Sequence, residues 1–551
     1  MSTVEEAPAA AAANGASGPR TTVLDATRDL MRRRGMTTVF GNPGSTELAF
    51  LADFPDDFRY VLGLQEAVVV GMADGYAQAS GRPTLVNLHT APGVGNAMGG
   101  IFNAQANKAP LVITAGQQAR ELITLQANLT NRDAARMPHP LVKWSYEPPR
   151  AQDVPLALAR AAHVATLPPA GPVFVSIPMD DWGVEVDGGT IEHALARTVT
   201  GRATADPEVL RDLTDRLAGA SNPVFVAGPD VDASGAWDAA IALVEAGRLP
   251  VWAIPAPGGG RIGFPEGHAA FQGILPPAIG PLSETLAGHD LILVAGASVF
   301  SYYPNIPGPL LPEGAELVQL TNDADEAARA PMGDAIVADV RLTLEALVAA
   351  LPAIDREPPP RRPAPPDVPE TDPMSSSEAM AALADVWPPD GIAVVEAPSA
   401  TLALRNRLRL SRPGSYYFGA GGGLGFGLAA AVGVQLAQRE RPVVCVVGEG
   451  SSQYAIQAFW SAAAYEVPLT VLVVRNDEYA ILKWFSSLEA VGGAPGLDLP
   501  ALDVPGVAEG YGVRSRRVQG AGELRSALRD AIGSGAPELV EVRVAPGMSL
   551  G

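Results

Sequence analysis

The chain has 551 residues, of which 47% are hydrophobic and 18% are charged, and its formal net charge is −21. This length exceeds what a single hydrophobic core supports and predicts about three domains of a globular protein. The surplus of acidic side chains argues against nucleic acid or a membrane surface as a partner, because both attract an excess of Lys and Arg. Cys445 is the single cysteine, which excludes an intrachain disulfide and a thiolate zinc site and predicts a core residue in a cytoplasmic protein.

In chain order, an alanine-rich segment comes first, and apolar runs then alternate with helix-like segments. Residues 1–20 lack the features of a secretory signal, and we expect a disordered tail there. The alternation predicts an α/β fold of three domains, each a mostly parallel sheet covered by helices. We expect these domains at 21–190, 200–350 and 375–551, with a semi-rigid proline-rich linker at 351–374.

The apolar runs also predict individual strands. They cover residues 38–40, 84–88, 111–114 and 173–178 in the first domain, 223–227, 250–254, 291–295, 317–320 and 336–340 in the second, and 392–395, 443–447, 469–474 and 539–542 in the third. The segment 418–438 is rich in Gly and Ala, which predicts a buried, closely packed segment rather than a membrane span.

Glu66 is the one charge in a helix-like run that covers residues 64–73. A carboxylate among apolar side chains must find a partner or stay protonated, and either state would suit a basic ring nitrogen. The alternative is a carboxylate that caps the start of a helix through backbone amides, which is the commoner case when such a residue is considered alone.

His89 closes the predicted strand 84–88, and we interpret the glycine-containing segment 91–96 after it as a loop that could admit a ligand. A histidine at the end of a strand can transfer protons near neutral pH. Taken alone, it is more often structural. The remaining histidines have no metal-ligand spacing.

Two polar strand ends in the third domain predict a cation site. Strand 443–447 runs into Glu449 and a serine-rich helix start, with a helix expected over 453–465, and strand 469–474 ends just before Asn476. Parallel strands would bring these oxygen ligands together, and carboxylate with amide oxygen suits a Mg²⁺ ion that binds a diphosphate. An ordinary strand–helix–strand unit with polar ends is about equally consistent with this spacing.

A glycine cluster, 419–426, lacks the G-x-G-x-x-G pattern of dinucleotide-binding loops. The chain also lacks the P-loop pattern and the G-x-S-x-G motif of serine hydrolases. The cluster therefore predicts a loop where backbone approaches a cofactor, with Leu424 as its one bulky aliphatic side chain.

Together these segments resemble the thiamine-diphosphate-dependent 2-keto acid decarboxylase family, and within it the benzoylformate decarboxylases, over nearly the whole length from Thr21 onward. The stretches that carry the resemblance are FGNPGS (40–45), LQEA (64–67), NLH (87–89), GVGNAMG (93–99), LVKWSYEP (141–148), APMGDAIVAD (330–339) and GSYYF (414–418). The resemblance implies a pyrimidine-binding first domain, a non-catalytic middle domain and a diphosphate-binding third domain. It also implies a homotetramer with each active site between two subunits.

The resemblance implies that thiamine diphosphate and Mg²⁺ serve the decarboxylation of a 2-keto acid, with an aromatic one such as benzoylformate expected. Glu66 would hydrogen-bond the aminopyrimidine ring, and His89 and Ser45 would act on the substrate. The other implied contacts are Gly422, Leu424, Gly450, Ser451, Ser399 and Tyr479 for the cofactor, Glu449, Asn476 and the backbone carbonyl of Glu478 for the metal, and Tyr303, Ile481, Leu482 and Phe485, with Ser45, for the substrate pocket.

The chain departs from the family pattern at a few of these positions. Glu449 stands where aspartate is usual, Arg475 where asparagine is usual, and Pro398 where a hydroxyl could bond the diphosphate. Tyr303 takes the place of a second active-site histidine, and Ile481 that of a smaller alanine. Glu449, Tyr303 and Pro398 keep open the alternative of a paralogue that has lost catalysis. A second alternative keeps the cofactor but forms a carbon–carbon bond, as in a carboligase of the acetohydroxyacid synthase type.

Overall fold

The computed structural model describes residues 20–255 and 260–548. The tail expected at the amino terminus lies, apart from Arg20, outside the described residues. Within them the chain forms three six-stranded sheets in which all neighbouring strands run parallel, and helices cover these sheets. The predicted fold class is confirmed.

The first sheet has the strand order β3-β2-β4-β5-β7-β6, and a short antiparallel pair, β1 with β8, lies apart from it. The strands of this domain, including that pair, are β1 (Arg20–Thr22), β2 (Thr38–Gly41), β3 (Arg59–Leu62), β4 (Thr84–Leu88), β5 (Leu111–Gln117), β6 (Ser145–Tyr146), β7 (Val173–Pro178) and β8 (Glu185–Asp187). Its helices are α1 (Val23–Arg34), α2 (Leu48–Leu51), α3 (Glu66–Ser80), α4 (Thr90–Ala106), α5 (Arg120–Ile123), α6 (Val154–Thr166) and α7 (Gly188–Ala196).

The middle sheet has the order β11-β10-β9-β12-β13-β14. Its strands are β9 (Pro223–Ala227), β10 (Val251–Ala253), β11 (Phe271–Ile274), β12 (Leu291–Ala295), β13 (Glu316–Thr321) and β14 (Asp334–Val337). Its helices are α8 (Pro207–Gly219), α9 (Pro229–Ala233), α10 (Trp237–Gly247), α11 (Ile279–Thr285), α12 (Ala324–Arg329) and α13 (Val340–Ala350).

The third sheet has the order β16-β15-β17-β18-β20-β19. Its strands are β15 (Ile392–Glu396), β16 (Tyr416–Phe418), β17 (Val443–Gly448), β18 (Leu469–Arg475), β19 (Arg514–Val518) and β20 (Glu538–Arg543). Its helices are α14 (Ser376–Ala384), α15 (Thr401–Leu408), α16 (Phe426–Ala437), α17 (Glu449–Ser452), α18 (Ala458–Ala464), α19 (Ala480–Leu488), α20 (Val504–Gly510) and α21 (Gly520–Gly533). Cys445 lies in β17 as a buried, unpaired core residue, as predicted.

The first and third sheets share one topology, which differs from that of the middle sheet. Numbered along the chain within each sheet, both have the order 2-1-3-4-6-5, whereas the middle sheet has 3-2-1-4-5-6. In such sheets ligands bind beyond the carboxyl ends of the strands where the order reverses. In the first sheet this point lies between β2 and β4, and in the third between β15 and β17.

Helices α3 and α16 pack against each other between the first and third sheets, and their side chains belong to one continuous apolar core. Glycines allow this close approach. A Cβ at Gly75 would overlap the backbone of Ala430, and one at Gly433 would overlap the carbonyl oxygen of Met72. The prediction that 418–438 is buried and closely packed holds for the helical part from Phe426 to Leu436, whereas the glycine turn before it is partly exposed. No helix in the described ranges is both long and apolar enough to span a bilayer.

Some local predictions were wrong. The segment 91–96 is not a loop, because α4 starts at Thr90 directly after its N-cap, His89. The helix predicted over 453–465 starts earlier, at Glu449, and is broken before it resumes at Ala458. The strand predicted to reach 340 ends at Val337, because Asp339 caps the start of α13.

Candidate active site

Glu66 lies at the start of α3, beside the switch point of the first sheet. Its carboxylate is 8% exposed and accepts two hydrogen bonds from side-chain amides, at 3.2 Å from Asn42 Nδ2 to Oε1 and at 3.0 Å from Asn96 Nδ2 to Oε2. The backbone amides at the helix start are instead capped by Gln65, whose Oε1 accepts from Ala67 and Val68. Glu66 is thus held by amides of two neighbouring segments and is not a backbone cap.

His89 follows β4 and pairs with a buried carboxylate that the sequence reasoning missed. Its Nδ1 lies 2.9 Å from Glu47 Oε2 and 3.1 Å from Thr46 Oγ1. Glu47 is 1% exposed and also accepts from the backbone amides of Gly44 and Gly116, at 2.8 and 2.9 Å. A carboxylate that accepts from Nδ1–H leaves Nε2 as the atom able to exchange a proton with a ligand.

The turn after β2 brings Glu47 under the imidazole. Gly44 packs against the ring of His89 so closely that a Cβ there would overlap it. Ser45 begins a 3₁₀ helix, Ser45–Glu47, and is exposed. The first half-site, as we call the group Asn42, Ser45, Glu47, Glu66 and His89, therefore combines an exposed hydroxyl, a carboxylate–imidazole pair and a second, amide-held carboxylate.

The switch point of the third sheet opens into a cavity of about 160 Å³. It is lined by the segments after β15 and β17 and by the loop after β18. Its walls contain most of the residues expected to hold the cofactor, metal and substrate, which are Ser399, Leu424, Glu449, Gly450, Ser451, Asn476, Glu478, Tyr479, Ile481 and Leu482. We call this lining the second half-site.

Glu449 and Asn476 are brought together within the second half-site. Glu449 Oε1 accepts from the backbone amides of Asn476 and Asp477, at 3.1 and 2.7 Å, and Asn476 Oδ1 accepts from the amide of Glu478 at 3.3 Å. Burial raises the pKa of the Glu449 carboxyl, and hydrogen bonds from these amides oppose that shift. A bound cation would likewise favour the ionised form of the Glu449 carboxyl, because its positive charge stabilises the carboxylate.

The donors present fit Mg²⁺ and a diphosphate. In the described part of the chain no three His, Cys, Asp or Glu side chains are grouped to hold a metal, whereas the expected site uses one carboxylate, one amide and one backbone carbonyl, all hard oxygen donors. Gly450 in the cavity wall packs closely against Tyr479 and Leu499, because a Cβ there would lie 2.7 Å from a side-chain atom of each. Ser399, Gly450 and Ser451 line the cavity, and their backbone amides, with the hydroxyls of the two serines, are groups of the kind that bind phosphate oxygens.

Ion pairs brace the loop after β18. Arg475 Nε donates to Asp477 at 2.6 Å, and Arg543 also pairs with Asp477, at 2.9 Å. The side chain of Glu478 is bound by Lys483 and by the backbone amide of Gly547. Arg475, which departs from the family pattern, thus stabilises the backbone that presents Asn476.

The glycine cluster forms a turn whose last backbone amides donate to the side chain of Glu396. Glu396 is a second residue of the site that was not predicted from the sequence. Glu396 accepts from the backbone amides of Gly425, Phe426 and Gly427, at 2.8, 3.2 and 3.0 Å. Burial raises its pKa to about 8 despite these three donors. Gly422 is exposed with φ of +73°, and Leu424 reaches the cavity wall.

Aromatic side chains join the middle domain to the third domain beside the cavity. The rings of Tyr303 and Phe485 lie 4.6 Å apart between centroids, and Tyr303 is 58% exposed. Two residues predicted to shape the substrate pocket therefore contact each other. Phe485 lies on α19, which also carries Ile481 and Leu482 of the cavity wall.

The first half-site does not line this cavity within one chain. Among the described residues that line the cavity, none comes from the first domain, so Glu66, His89 and Ser45 lie outside it. A larger cleft, of about 650 Å³, lies where the three domains join, and its lining contains none of the predicted site residues. Lys108 in that cleft is already paired with Asp230 and Glu326, at 2.8 and 3.1 Å.

Comparison with known proteins gives matches over nearly the whole chain. Three family models match, described as the N-terminal, central and C-terminal domains of thiamine pyrophosphate enzymes, at residues 21–137, 210–347 and 399–542. The benzoylformate decarboxylase of Pseudomonas aeruginosa is 51% identical over 522 residues, covering 95% of this chain and 98% of that protein.

Two solved structures are also similar. The 4-hydroxybenzoylformate decarboxylase of Rhodococcus jostii RHA1 is 46% identical, with a TM-score of 0.93, and the match covers 96% of this chain and all of that one. The benzoylformate decarboxylase of Polynucleobacter necessarius is 41% identical, with a TM-score of 0.92, and the match covers 96% of this chain and 99% of that one.

Proposed function

The chain belongs to the thiamine pyrophosphate enzyme family, and from that premise we propose that it decarboxylates an aromatic 2-keto acid such as benzoylformate. The bond between the keto carbon and the carboxylate breaks, CO₂ leaves, and a proton replaces it to give the aldehyde. When bound, thiamine diphosphate supplies a carbon nucleophile and an electron sink for the electron pair released with CO₂.

The observation that carries this proposal is the placement of two complementary half-sites at equivalent switch points of two sheets with one topology. One offers carboxylates and an imidazole, and the other offers oxygen ligands around a cavity. We assign the cofactor's diphosphate to Ser399, Gly450 and Ser451. We assign Mg²⁺ to Glu449, Asn476 and the carbonyl of Glu478.

In the first half-site, Glu66 would hydrogen-bond a ring nitrogen of the pyrimidine, because its carboxylate is buried yet held at a defined position by Asn42 and Asn96. Ser45 would bind the substrate carboxylate through its exposed hydroxyl. His89 Nε2 would deliver or accept the proton at the reacting carbon, with Nδ1–H fixed by Glu47.

In the second half-site, the backbone at Gly422 would accept from the pyrimidine's exocyclic amine, and Leu424 would pack against the cofactor. Tyr479 lines the same cavity. Ile481, Leu482, Phe485 and Tyr303 would contact the aryl group, and Tyr303 offers a phenol in place of a second imidazole.

The absence of first-half-site residues from the cavity lining within one chain supports a homotetramer with each active site between two subunits. The single, unpaired Cys445 supports a location in the reducing cytoplasm. Large apolar side chains are exposed beside both half-sites, with Leu48 and Leu64 at 61% and 42% near the first and Tyr454 and Leu482 at 55% and 46% near the second. Such exposure is typical of surfaces that a second subunit covers.

A substrate panel tests the proposal. The purified protein with thiamine diphosphate and Mg²⁺ is expected to convert benzoylformate into benzaldehyde and CO₂ faster than alkyl 2-keto acids. Absence of product from all aryl and alkyl 2-keto acids would contradict it. A hydroxyketone as main product, with an acceptor aldehyde supplied, would instead favour a carboligase.

A further inference from the structure

The glycine turn 419–425 is hydrogen-bonded to the first domain by two asparagine side chains, one on α4 and one at the C-cap of that helix. Asn103 Nδ2 donates to the carbonyl of Gly423 at 2.9 Å, and Asn103 Oδ1 accepts from the amide of the same glycine at 3.1 Å. Asn107 Oδ1 accepts from the amide of Ala420 at 3.0 Å. These bonds cross from the first domain to the third.

The buried side chain of Asn103 fits closely against the glycine turn that it binds. It is 3% exposed, and a Cβ at Gly421 or Gly423 would lie 3.0 or 2.9 Å from its Oδ1. The glycines therefore leave the space that this amide uses. Its loss would leave both polar backbone atoms of Gly423 without their partner at a half-buried position.

Leu424, which the proposed function places against the cofactor, lies between this contact and a second one, and Gly422 lies between the contacts that Asn107 and Asn103 make. Asn103 fixes Gly423 on one side, and Glu396 fixes Gly425 and Phe426 on the other. Gly422 and Leu424 flank Gly423 directly. Together, their positions therefore depend on anchors in two domains.

The same helix also reaches Glu66. Asn96, two turns before Asn103 on α4, donates to Glu66, so a rise of about 1.5 Å per residue separates the two contacts by roughly 10 Å. One rigid element thereby fixes both an acid of the first half-site and the turn of the second.

We propose that Asn103 is a positioning residue for catalysis, which holds Gly422 and Leu424 where the bound cofactor needs them. This inference rests on the proposed function. It predicts that removing the amide impairs the cofactor's activation before any substrate binds, because misplacing such contacts by a fraction of an ångström reduces rates strongly.

The test uses the full-length protein with saturating thiamine diphosphate and Mg²⁺ and follows deuterium exchange at the cofactor's thiazolium C2 by NMR. Asn103→Ala removes both hydrogen bonds. Asn103→Asp keeps the side chain's size and its acceptor but loses the donor. Asn222→Ala is the matched control, since Asn222 also donates to a backbone carbonyl, that of Gly288, on the exposed surface of the middle domain.

Both Asn103 variants are expected to slow the exchange by on the order of 10-fold to 100-fold at full cofactor occupancy, while Asn222→Ala exchanges like the wild type. Calorimetry establishes the occupancy, and thermal unfolding confirms that each variant is folded. Wild-type exchange rates in both Asn103 variants would overturn the inference and leave the proposed function standing. If the wild type itself does not accelerate exchange, the proposed function fails and this inference fails with it.

Discussion

At the scale of single residues, the contact between Glu47 and His89 decides which imidazole nitrogen can act. Glu47→Gln places an amide where Oε2 now accepts from Nδ1, so the ring loses its anionic partner. We expect kcat for decarboxylation to fall by about 10-fold to 100-fold, as is typical when the partner that orients a histidine is removed. Steady-state kinetics with benzoylformate measures this.

The matched control for this change is Glu121→Gln, which alters an exposed carboxylate on α5. It should leave kcat within a factor of two. If Glu47→Gln does the same while remaining folded, the carboxylate does not orient the imidazole for proton transfer.

Glu449 supplies the one carboxylate of the expected metal site. Glu449→Gln keeps the side chain's length but removes its charge, and Mg²⁺ binds a neutral amide more weakly than a carboxylate. The Mg²⁺ concentration needed to assemble the holoenzyme is therefore expected to rise at least about 10-fold. Titrating Mg²⁺ into protein with thiamine diphosphate, followed by calorimetry, gives this number. Glu440→Gln, at an exposed position before β17, should leave it unchanged.

At the scale of elements, the packing of α3 on α16 limits what can replace a glycine. Gly433→Ala would force a Cβ into the carbonyl of Met72, and we expect it to lower the free energy of unfolding by about 3 kcal/mol, because overpacked cores relax poorly. In contrast, Gly522→Ala on α21 has open space around it and should change stability by no more than about 1 kcal/mol. Denaturant unfolding compares the two, and equal effects would contradict the packing described.

Asp74, within α3, gives this element a pH dependence. Burial raises its pKa from 3.8 to about 7, although Gln78 and Asn107 donate to it. Because the folded-state pKa lies above the unfolded one, the contribution to stability is complete below pH 3.8 and is lost as pH rises to about 7. Relative to Asp74→Asn, the wild type should lose up to about 4 kcal/mol over that range, at about 1.4 kcal/mol per pH unit. A difference between the two proteins that stays constant with pH would contradict this.

The elements predictable from sequence were the buried central strands. Runs such as 84–88, 223–227 and 291–295 match the observed strands residue for residue, because both faces of a parallel strand are covered and the whole run is apolar. The edge strand β19 was missed because its residues are mostly exposed and charged. α4 was missed at its start because glycines and a proline there are typical of a loop, although in the fold Gly93 lies on the helix beside Glu66 and His89.

The site residues also fall into two groups, those that a local sequence pattern identifies and those that only the fold brings together. Those carried by local motifs, such as Glu449 with Asn476, could be named from their spacing and are found together. Glu47 and Glu396 could not, because their partners lie 42 and 29 or more positions away along the chain and only the fold brings them together. The sequence 44–47 did contain one signal, a Glu three residues after a turn glycine, which is typical of a capped helix start.

At the scale of the whole molecule, an active site shared between subunits predicts complementation. In a mixed dimer of Glu66→Gln and Glu449→Gln chains, one site carries both changes and the other carries neither. Co-expression should therefore restore roughly a quarter of the wild-type sites if subunits pair at random. Light scattering should also show a tetramer. Two inactive variants that gain no activity together, although they form mixed oligomers, would place each site within one chain.

We propose that Glu66, held by Asn42 and Asn96, would promote loss of the proton from C2 of thiamine diphosphate when the cofactor is bound. The most direct measurement is the rate of deuterium exchange at that carbon, with Mg²⁺ present and no substrate. We expect the wild type to exchange at least ~100-fold faster than free thiamine diphosphate, and Glu66→Gln to lose most of that acceleration while still binding the cofactor. Exchange in the wild type no faster than in free solution, or full acceleration in Glu66→Gln, would contradict it.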